Sequence, residues 1–292
     1  MLTIFTVPKP FAGHIGIIQR NAIQSWRRLR PSCQVFLCGN EAGTAETAAA
    51  LGADQIPEVE LNEFGTPLLS SVFAAVEARA AHNLICYVNA DILLLSDFAE
   101  AARRIAESKQ RFLMVGQRWD LDVTEPLDFE SPDWEQALRS RVERSGSLHP
   151  PSGSDYFVFR KGTVGVLPPF AVGRPGWDNW MIYRARHLRA AVIDATRVTL
   201  VIHQNHAYGH VKQSTGPAWE GPEGDRNLSL IGGSDRIYTL ADATHRLTSG
   251  GVRRALTSAH LKRRIRTMAV VAPALRRLRD IFRPARRPSQ PR

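Results

Sequence analysis

The chain has 292 residues, 43% of them hydrophobic and 23% charged, which excludes wholesale disorder and allows one large domain or two small ones. Its formal net charge of +10 is uneven: Gly250–Arg292 carries 13 Lys and Arg against a single acid, Asp280, leaving 25 basic and 27 acidic side chains in residues 1–249. A nucleic-acid groove running through a nearly neutral body is therefore poorly supported, and no nucleic-acid partner is expected.

Three cysteines, Cys33, Cys38 and Cys86, show neither CxxC nor Cys/His spacing. That argues against a disulfide framework or a structural zinc site and for a reducing compartment. MLTIFTV lacks the charged start of a signal peptide, and no apolar run reaches the ~20 residues of a membrane span. The expectation is a soluble or peripheral protein.

LTIFTV, stopped by Pro8, predicts a buried first strand. Ile15, Ile18, Ala22, Trp26 and Leu29 recur at helical spacing up to Pro31. CQVFLCG (strand), AGTAETAAALGA (helix) and a short QIPEVEL segment follow, then a helix over Leu69–Ala81 and the most apolar strand, NLICYVNADILLL. This alternation predicts an α/β fold, an open and mostly parallel sheet with helices on both faces. Ligands in such sheets bind at the carboxyl ends of the strands, so the turns after LTIFTV and ICYV matter most. Beyond them come a helix (FAEAARRIAES) and a strand (FLMVGQRW). Asp120–Ser152 is acidic and irregular apart from a helix in DWEQALRSRVERS. DYFVFRKG and RVTLVIHQ have strand character, WDNWMIYRARHLRA between them reads as a helix, and Gly209–Gly233 as a loop.

Asn89-Ala90-Asp91 interrupts the apolar strand. A carboxylate there is costly to bury unless it is paired, at a strand end, or holding a cation. Mg²⁺ or Mn²⁺ is typically held by one or two carboxylates plus substrate phosphate oxygens; the other reading of the tripeptide is an ordinary turn. In HQNHAYGH, His203, His206 and His210 are spaced to converge on an ion, complementing Asp91 or forming a three-histidine zinc site, or they are surface histidines of a polar loop. Asp178, between Trp177 and Trp180 at a helix start, pairs a candidate proton acceptor with aromatic faces for sugar C–H surfaces. The alternative is two core tryptophans and a helix N-terminal acid. Asp155 is a substrate ligand or a strand-start residue.

TVPKPF, NEFGTPLLSSVF, ICYVNADILLLSDF, SGSDYFVFRKG, GWDNWMIYRA and HQNHAYGH occur in that order over roughly residues 1–215. Together they resemble a bacterial family of nucleotide-diphospho-sugar transferases with a GT-A-like fold. The resemblance implies transfer of a sugar from a nucleotide-sugar donor to a glycan or lipid-linked acceptor, with Mn²⁺ or Mg²⁺ on the diphosphate. It places Thr6, Val7, Pro8 and Lys9 at the nucleoside. It matches Asn89 and Asp91 to the ends of an Asp-x-Asp motif, His203 or His206 to a late metal ligand, and Asp178 to the region of the base in inverting members. Asn89 departs from the motif, so the site has one carboxylate fewer. A metal-independent enzyme and a non-catalytic nucleotide-sugar or glycan-binding protein stay open.

TVPKPFAGHIG supplies neither the Gly-rich, Arg-containing loop of a nucleotidylyltransferase nor the GxGxxG of a dinucleotide-binding dehydrogenase. The expected organisation is a transferase domain over 1–245 and a basic helical extension over 246–292. In the extension Leu261, Ile265, Met268, Ala272, Leu275 and Phe282 fall near one helical face among arginines. That pattern suits a cytoplasmic protein resting on the anionic inner face of the membrane.

Overall fold

The computed structural model describes residues 1–206 and 221–271. His210, the first half of the expected loop and the extension beyond Val271 lie outside the described residues.

In chain order the elements are β1 (Leu2–Thr6), α1 (Gly13–Arg27), β2 (Gln34–Cys38), α2 (Thr44–Leu51), β3 (Asp54–Ile56), α3 (Leu69–Arg79), β4 (Leu84–Val88), β5 (Ile92–Leu94) and α4 (Ser96–Ser108). There follow β6 (Phe112–Val115), β7 (Trp119–Leu121), α5 (Trp134–Ser145), β8 (Ser147–Leu148), β9 (Tyr156–Arg160), α6 (Trp177–His187), β10 (Ala191–Asp194) and β11 (Val201–Gln204). The last are α7 (Pro222–Ile231), β12 (His245–Thr248), β13 (Gly251–Arg254) and α8 (Ser258–Val271).

Among the described residues the main sheet has the order β13-β12-β10-β6-β9-β4-β1-β2-β3. Strands β3, β2, β1 and β4 are mutually parallel, as are β6, β10 and β12. Strand β9 runs antiparallel between the two parallel sets, and β13 is an antiparallel edge. The expected open, mostly parallel α/β sheet is present, and β12 and β13 continue it past residue 245.

Both faces of this sheet are covered, which is why its strands are apolar at consecutive positions. On one face Phe5, Tyr87, Phe157 and Phe159 pack with α3 and α6; on the other Ile4, Cys86, Val88 and Val158 pack with α1 and α4. Helix α4 shows the underlying pattern. Phe98, Ala101, Ala102 and Ile105 point inward at helical spacing, and Arg103 pairs with Glu100 and Glu107 on the outer side.

The structure departs from the sequence expectation where two predicted strands each break in two. NLICYVNADILLL splits at Asn89–Asp91 into β4, in the main sheet, and β5, in a second sheet ordered β5-β11-β7-β8. A carboxylate inside a strand covered on both faces would be buried without water, so the chain turns there instead. FLMVGQRW likewise splits into β6 and β7 around Gly116, where a Cβ would lie 2.3 Å from the Tyr156 hydroxyl. RVTLVIHQ is strand only from Val201, and β10 was not expected.

Part of the predicted Gly209–Gly233 loop is helix α7. Pro222 occupies its first turn with Glu223 and Asp225, and Gly232 closes it in the left-handed conformation. These are helix boundary signals that a polar composition obscured.

Candidate functional site

The carboxyl ends of β1 and β4 open into a cavity of about 770 Å³. Of the residues singled out from sequence, Val7, Pro8, Lys9, Asn89, Asp91, Asp155, Trp177, Asp178, His203 and His206 line it. Thr6 is buried behind it in β1, and Trp180 packs on Phe170 in the core; neither lines the cavity.

The loop after β1 is pinned by Gln19, whose carboxamide accepts from Lys9 N at 2.7 Å and donates to Lys9 O at 2.9 Å. The Lys9 ammonium faces Asp91 and Arg174. Burial lowers its pKa, with Asp91 opposing and Arg174 adding to the shift.

The second sheet assembles the centre of the site. Antiparallel pairing sets His203 of β11 beside Ile92 of β5, next to Asp91, and parallel pairing sets it beside Asp120 of β7. Gln204 donates from its side chain to Asp91 O at 3.1 Å, tying the turn to β11. Asp91 Oδ2 lies 2.9 Å from His206 Nε2 and 3.7 Å from His203 Nε2. Burial pushes the Asp91 carboxyl up, but the His206 hydrogen bond and the charges of His203, His206 and Lys9 outweigh it and hold the group down at about 2.

The geometry suits a cation. One ligand atom from each of Asp91, His203 and His206 lies within 4.8 Å of the others, and Asp91 Oδ1 is buried with no hydrogen-bond partner among the described residues. Behind His203, Asp120 Oδ1 stands 3.1 Å from Nδ1, although the pair lacks hydrogen-bond alignment. Asp120 in turn engages His149 at 2.8 Å and Arg118 Nε at 2.9 Å. A carboxylate on the far nitrogen of a ligating imidazole orients the ring.

Asn89, which also lines the cavity, is held by its neighbours. Its Nδ2 donates to Asp155 Oδ1 at 2.8 Å, and its Oδ1 accepts from the Tyr87 hydroxyl at 3.0 Å. Asp155 also takes a charged hydrogen bond from Arg118 at 2.6 Å. Asn89 is thus a neutral clasp that fixes Asp155 at the start of β9.

Asp178 lies in the first turn of α6, half-buried in the cavity wall. Burial, reinforced by Asp155, pushes its carboxyl up to about 6 against backbone N–H groups of Asn179 and Ser154. Beside it Trp177 stands edge-on to Tyr87, with ring centroids 4.9 Å apart. Across the cavity Glu223 of α7 bonds Arg174 and accepts from Asn62 at 2.7 Å, closing the rim.

Arg118, Asp120, Arg174 and Glu223 were not expected from sequence. The available signal was Arg118-Trp119-Asp120, two opposite charges at i, i+2 directly after an apolar strand. Glu223 fell in the stretch read as a loop.

A mixed, mostly parallel sheet flanked by helices, with its cavity at the carboxyl ends of β1 and β4, is the α/β fold of the GT-A nucleotide-sugar transferases. Among solved structures, GalNAc-T7 with UDP, GalNAc and Mn²⁺ superposes with a TM-score of 0.51 at 12% identity, over 80% of this chain and 48% of that one. Glucosyl-3-phosphoglycerate synthase from Mycobacterium tuberculosis with Mg²⁺ and UDP gives 0.49 at 14% identity, over 81% and 78% of the two chains. TarS 1-349 from S. aureus with UDP-GlcNAc gives 0.47 at 12%, over 74% and 62%. The chain thus spans about half the length of the GalNAc-T7 structure. At these identities the likeness is one of fold. No protein-family model matches the sequence, and no curated protein matches it.

Proposed function

We propose that this protein transfers a sugar from a nucleotide-diphosphate sugar to a hydroxyl of a glycan or lipid-linked acceptor. The observation that carries this reading is the buried Asp91 Oδ1, without a partner among the described residues, beside His203 and His206. It lies at the strand ends, in a cavity of the size that holds small-molecule ligands. GalNAc-T7, which shares the fold, was crystallised with UDP, GalNAc and Mn²⁺. A UDP-sugar with Mn²⁺ or Mg²⁺ is accordingly the first donor and cofactor to test.

In this reading Asp91, His203 and His206 hold the divalent cation, and Asp120 orients His203. When bound, the ion supplies Lewis-acid stabilisation of the departing diphosphate. Lys9 and Arg174 add positive charge to the same wall, and Val7 and Pro8, with Thr6 behind them, face the nucleoside. Asp155, held by Arg118 and Asn89, orients sugar hydroxyls. Trp177 offers a ring to the sugar, and Trp180 supports α6 from the core.

Asp178 serves as the base of an inverting displacement. The acceptor oxygen bonds to the anomeric carbon, the bond from that carbon to the diphosphate oxygen breaks, and the hydroxyl proton passes to the Asp178 carboxylate. With its pKa raised to about 6, that carboxylate is ionised at neutral pH yet basic enough to take the proton. Cys33, Cys38 and Cys86 are buried free thiols, consistent with a reducing, cytoplasmic location.

The test is nucleotide release and acceptor glycosylation across a panel of nucleotide-sugars, with Mn²⁺ and with chelator. Asp91→Asn should lose both turnover and the Mn²⁺-dependent rise in melting temperature while keeping the native circular dichroism spectrum. Full turnover in that variant would overturn the metal assignment. Donor binding with no release to any acceptor or to water would identify a binding protein instead.

A further inference from the structure

A second concavity, of about 300 Å³, shares no lining residue with the first; its polar lining is Arg186, Arg189, Arg254, Arg264, His245 and Thr244. No carboxylate lines it among the described residues. The nearby acids are engaged elsewhere: Asp242 takes Arg263 at 2.9 Å, and Asp194 faces Arg246 at 3.8 Å. Arg186 is fixed by donating to Asp242 O at 2.6 Å.

The cost of gathering these cations is visible. Burial lowers the pKa of His245, and Lys109, Arg254 and Arg264 lower it further. Arg189, at a φ of 60°, is the left-handed residue that closes α6, where Ala190 N donates to Ala185 O at 2.9 Å. Like charges brought together without an acid form a receptor for an anion, and guanidinium forks match phosphate oxygens.

Arg264 also borders the outward face of α8. The inner side of that helix is anchored through buried Thr267 and Val270, through Arg263 to Asp242, and through Thr267 O, which accepts from Tyr238 at 3.3 Å. Opposite this anchor, Leu261, Ile265 and Met268 recur at i, i+4, i+7 and are 51%, 67% and 46% exposed. Lys262 and Arg266 flank them on the other side, both exposed. A docked helix that keeps an apolar stripe in water between two rows of cations is shaped for the boundary of an anionic bilayer. Charge complementarity favours the same partner, because Gly250–Arg292 holds 13 basic residues and one acid.

We propose that the outer face of α8 lies on an anionic membrane, with Leu261, Ile265 and Met268 at the acyl boundary and a lipid phosphate in the arginine concavity. The proposal is independent of sugar transfer. It extends the sequence expectation of a basic tail by assigning a defined phosphate site on the folded body.

The test is co-sedimentation of the full chain with vesicles of phosphatidylcholine alone and of phosphatidylcholine with phosphatidylglycerol. Arg189→Gln/Arg254→Gln removes two of the four arginine charges of the concavity, both at exposed positions. Arg79→Gln/Arg144→Gln removes the same charge at exposed positions that do not line it, and Ile265→Ser/Met268→Ser removes the stripe. The wild type should bind only the anionic vesicles. The concavity pair should weaken that binding by about tenfold or more, given the usual contribution of each basic residue near a membrane surface. The stripe pair should weaken it comparably, and the distant pair clearly less. Equal loss in the concavity and distant pairs would reduce the effect to bulk charge and overturn the site. Absence of vesicle binding by the wild type would overturn it as well. This holds whether inorganic phosphate raises the melting temperature, marking a free-phosphate site, or duplex DNA binds tightly, marking a nucleic-acid surface.

Discussion

Ionised Asp178 should cost the fold stability, and the cost can be worked out from its surroundings. Burial and the Asp155 charge raise its carboxyl from 3.8 to about 6, whereas the unfolded chain returns it to the ordinary value. A raised carboxyl penalises the folded state only when ionised. The penalty is absent below about pH 4, grows between pH 4 and 6, and is complete above that range. At about 1.4 kcal/mol per pK unit it amounts to roughly 3 kcal/mol at pH 8 and about half that at pH 5. Asp178→Asn is isosteric, keeps an oxygen for the N–H groups of Asn179 and Ser154, and cannot ionise. The variant should therefore be more stable than the wild type by up to about 3 kcal/mol at pH 8, and by about half as much at pH 5. Turnover should fall by roughly 10² or more in the same variant. Urea unfolding at both pH values, with unchanged denaturant slope, measures the first effect. A variant less stable than the wild type at pH 8, or a stability difference that ignores pH, would refute the reasoning.

Asn89→Asp places a carboxylate where an amide now donates to Asp155 at 2.8 Å, and should cost about 1–3 kcal/mol at pH 7, read from the urea midpoint. Arg118→Ala leaves Asp120 and Asp155 without their cation in a site where the arginine is 11% exposed, and should cost roughly 3–5 kcal/mol by the same assay. Gly176→Ala meets two obstacles, a φ of 89° and a Cβ that would lie 2.4 Å from Ile231 Cδ1. It should lower stability by roughly 1–3 kcal/mol and displace Asp178 at the start of α6, visible as a lower melting temperature with reduced turnover.

Much of the fold was legible because its strands are short, apolar and separated by amphipathic helices. From Leu2 to Val88 the expected alternation of strand and helix is the observed one. Periodicity could not reveal where an apolar run changes sheet. The breaks at Asn89–Asp91 and Gly116 depend on what packs alongside, the second sheet in one case and the Tyr156 hydroxyl in the other. For the site, Asp91, His203 and His206 could be linked because ligand-type residues stood at a strand end and in a late polar stretch. Arg118 and Asp120 escaped notice because their partners, Asp155 and His149, lie 37 and 29 residues away. Trp180 shows the opposite error. Trp180, three residues on from Trp177, packs on Phe170 in the core and does not line the cavity.

Three aspartates of the cavity bear on why an amide occupies position 89. Among the described residues Asp155 is neutralised by Arg118 and clasped by Asn89, Asp91 faces two histidines with one oxygen unpartnered, and Asp178 has no paired cation and is raised to about 6. These three environments are what the proposed reading needs of one group type: orienting a ligand, holding a cation and moving a proton. An aspartate at 89 would compete with Asp155 for Arg118 and remove the donor that fixes it. It would also bring a second negative charge to the turn that carries Asp91. In the proposed reading the neutral clasp leaves the cation-binding charge to Asp91, with His203 and His206 beside it.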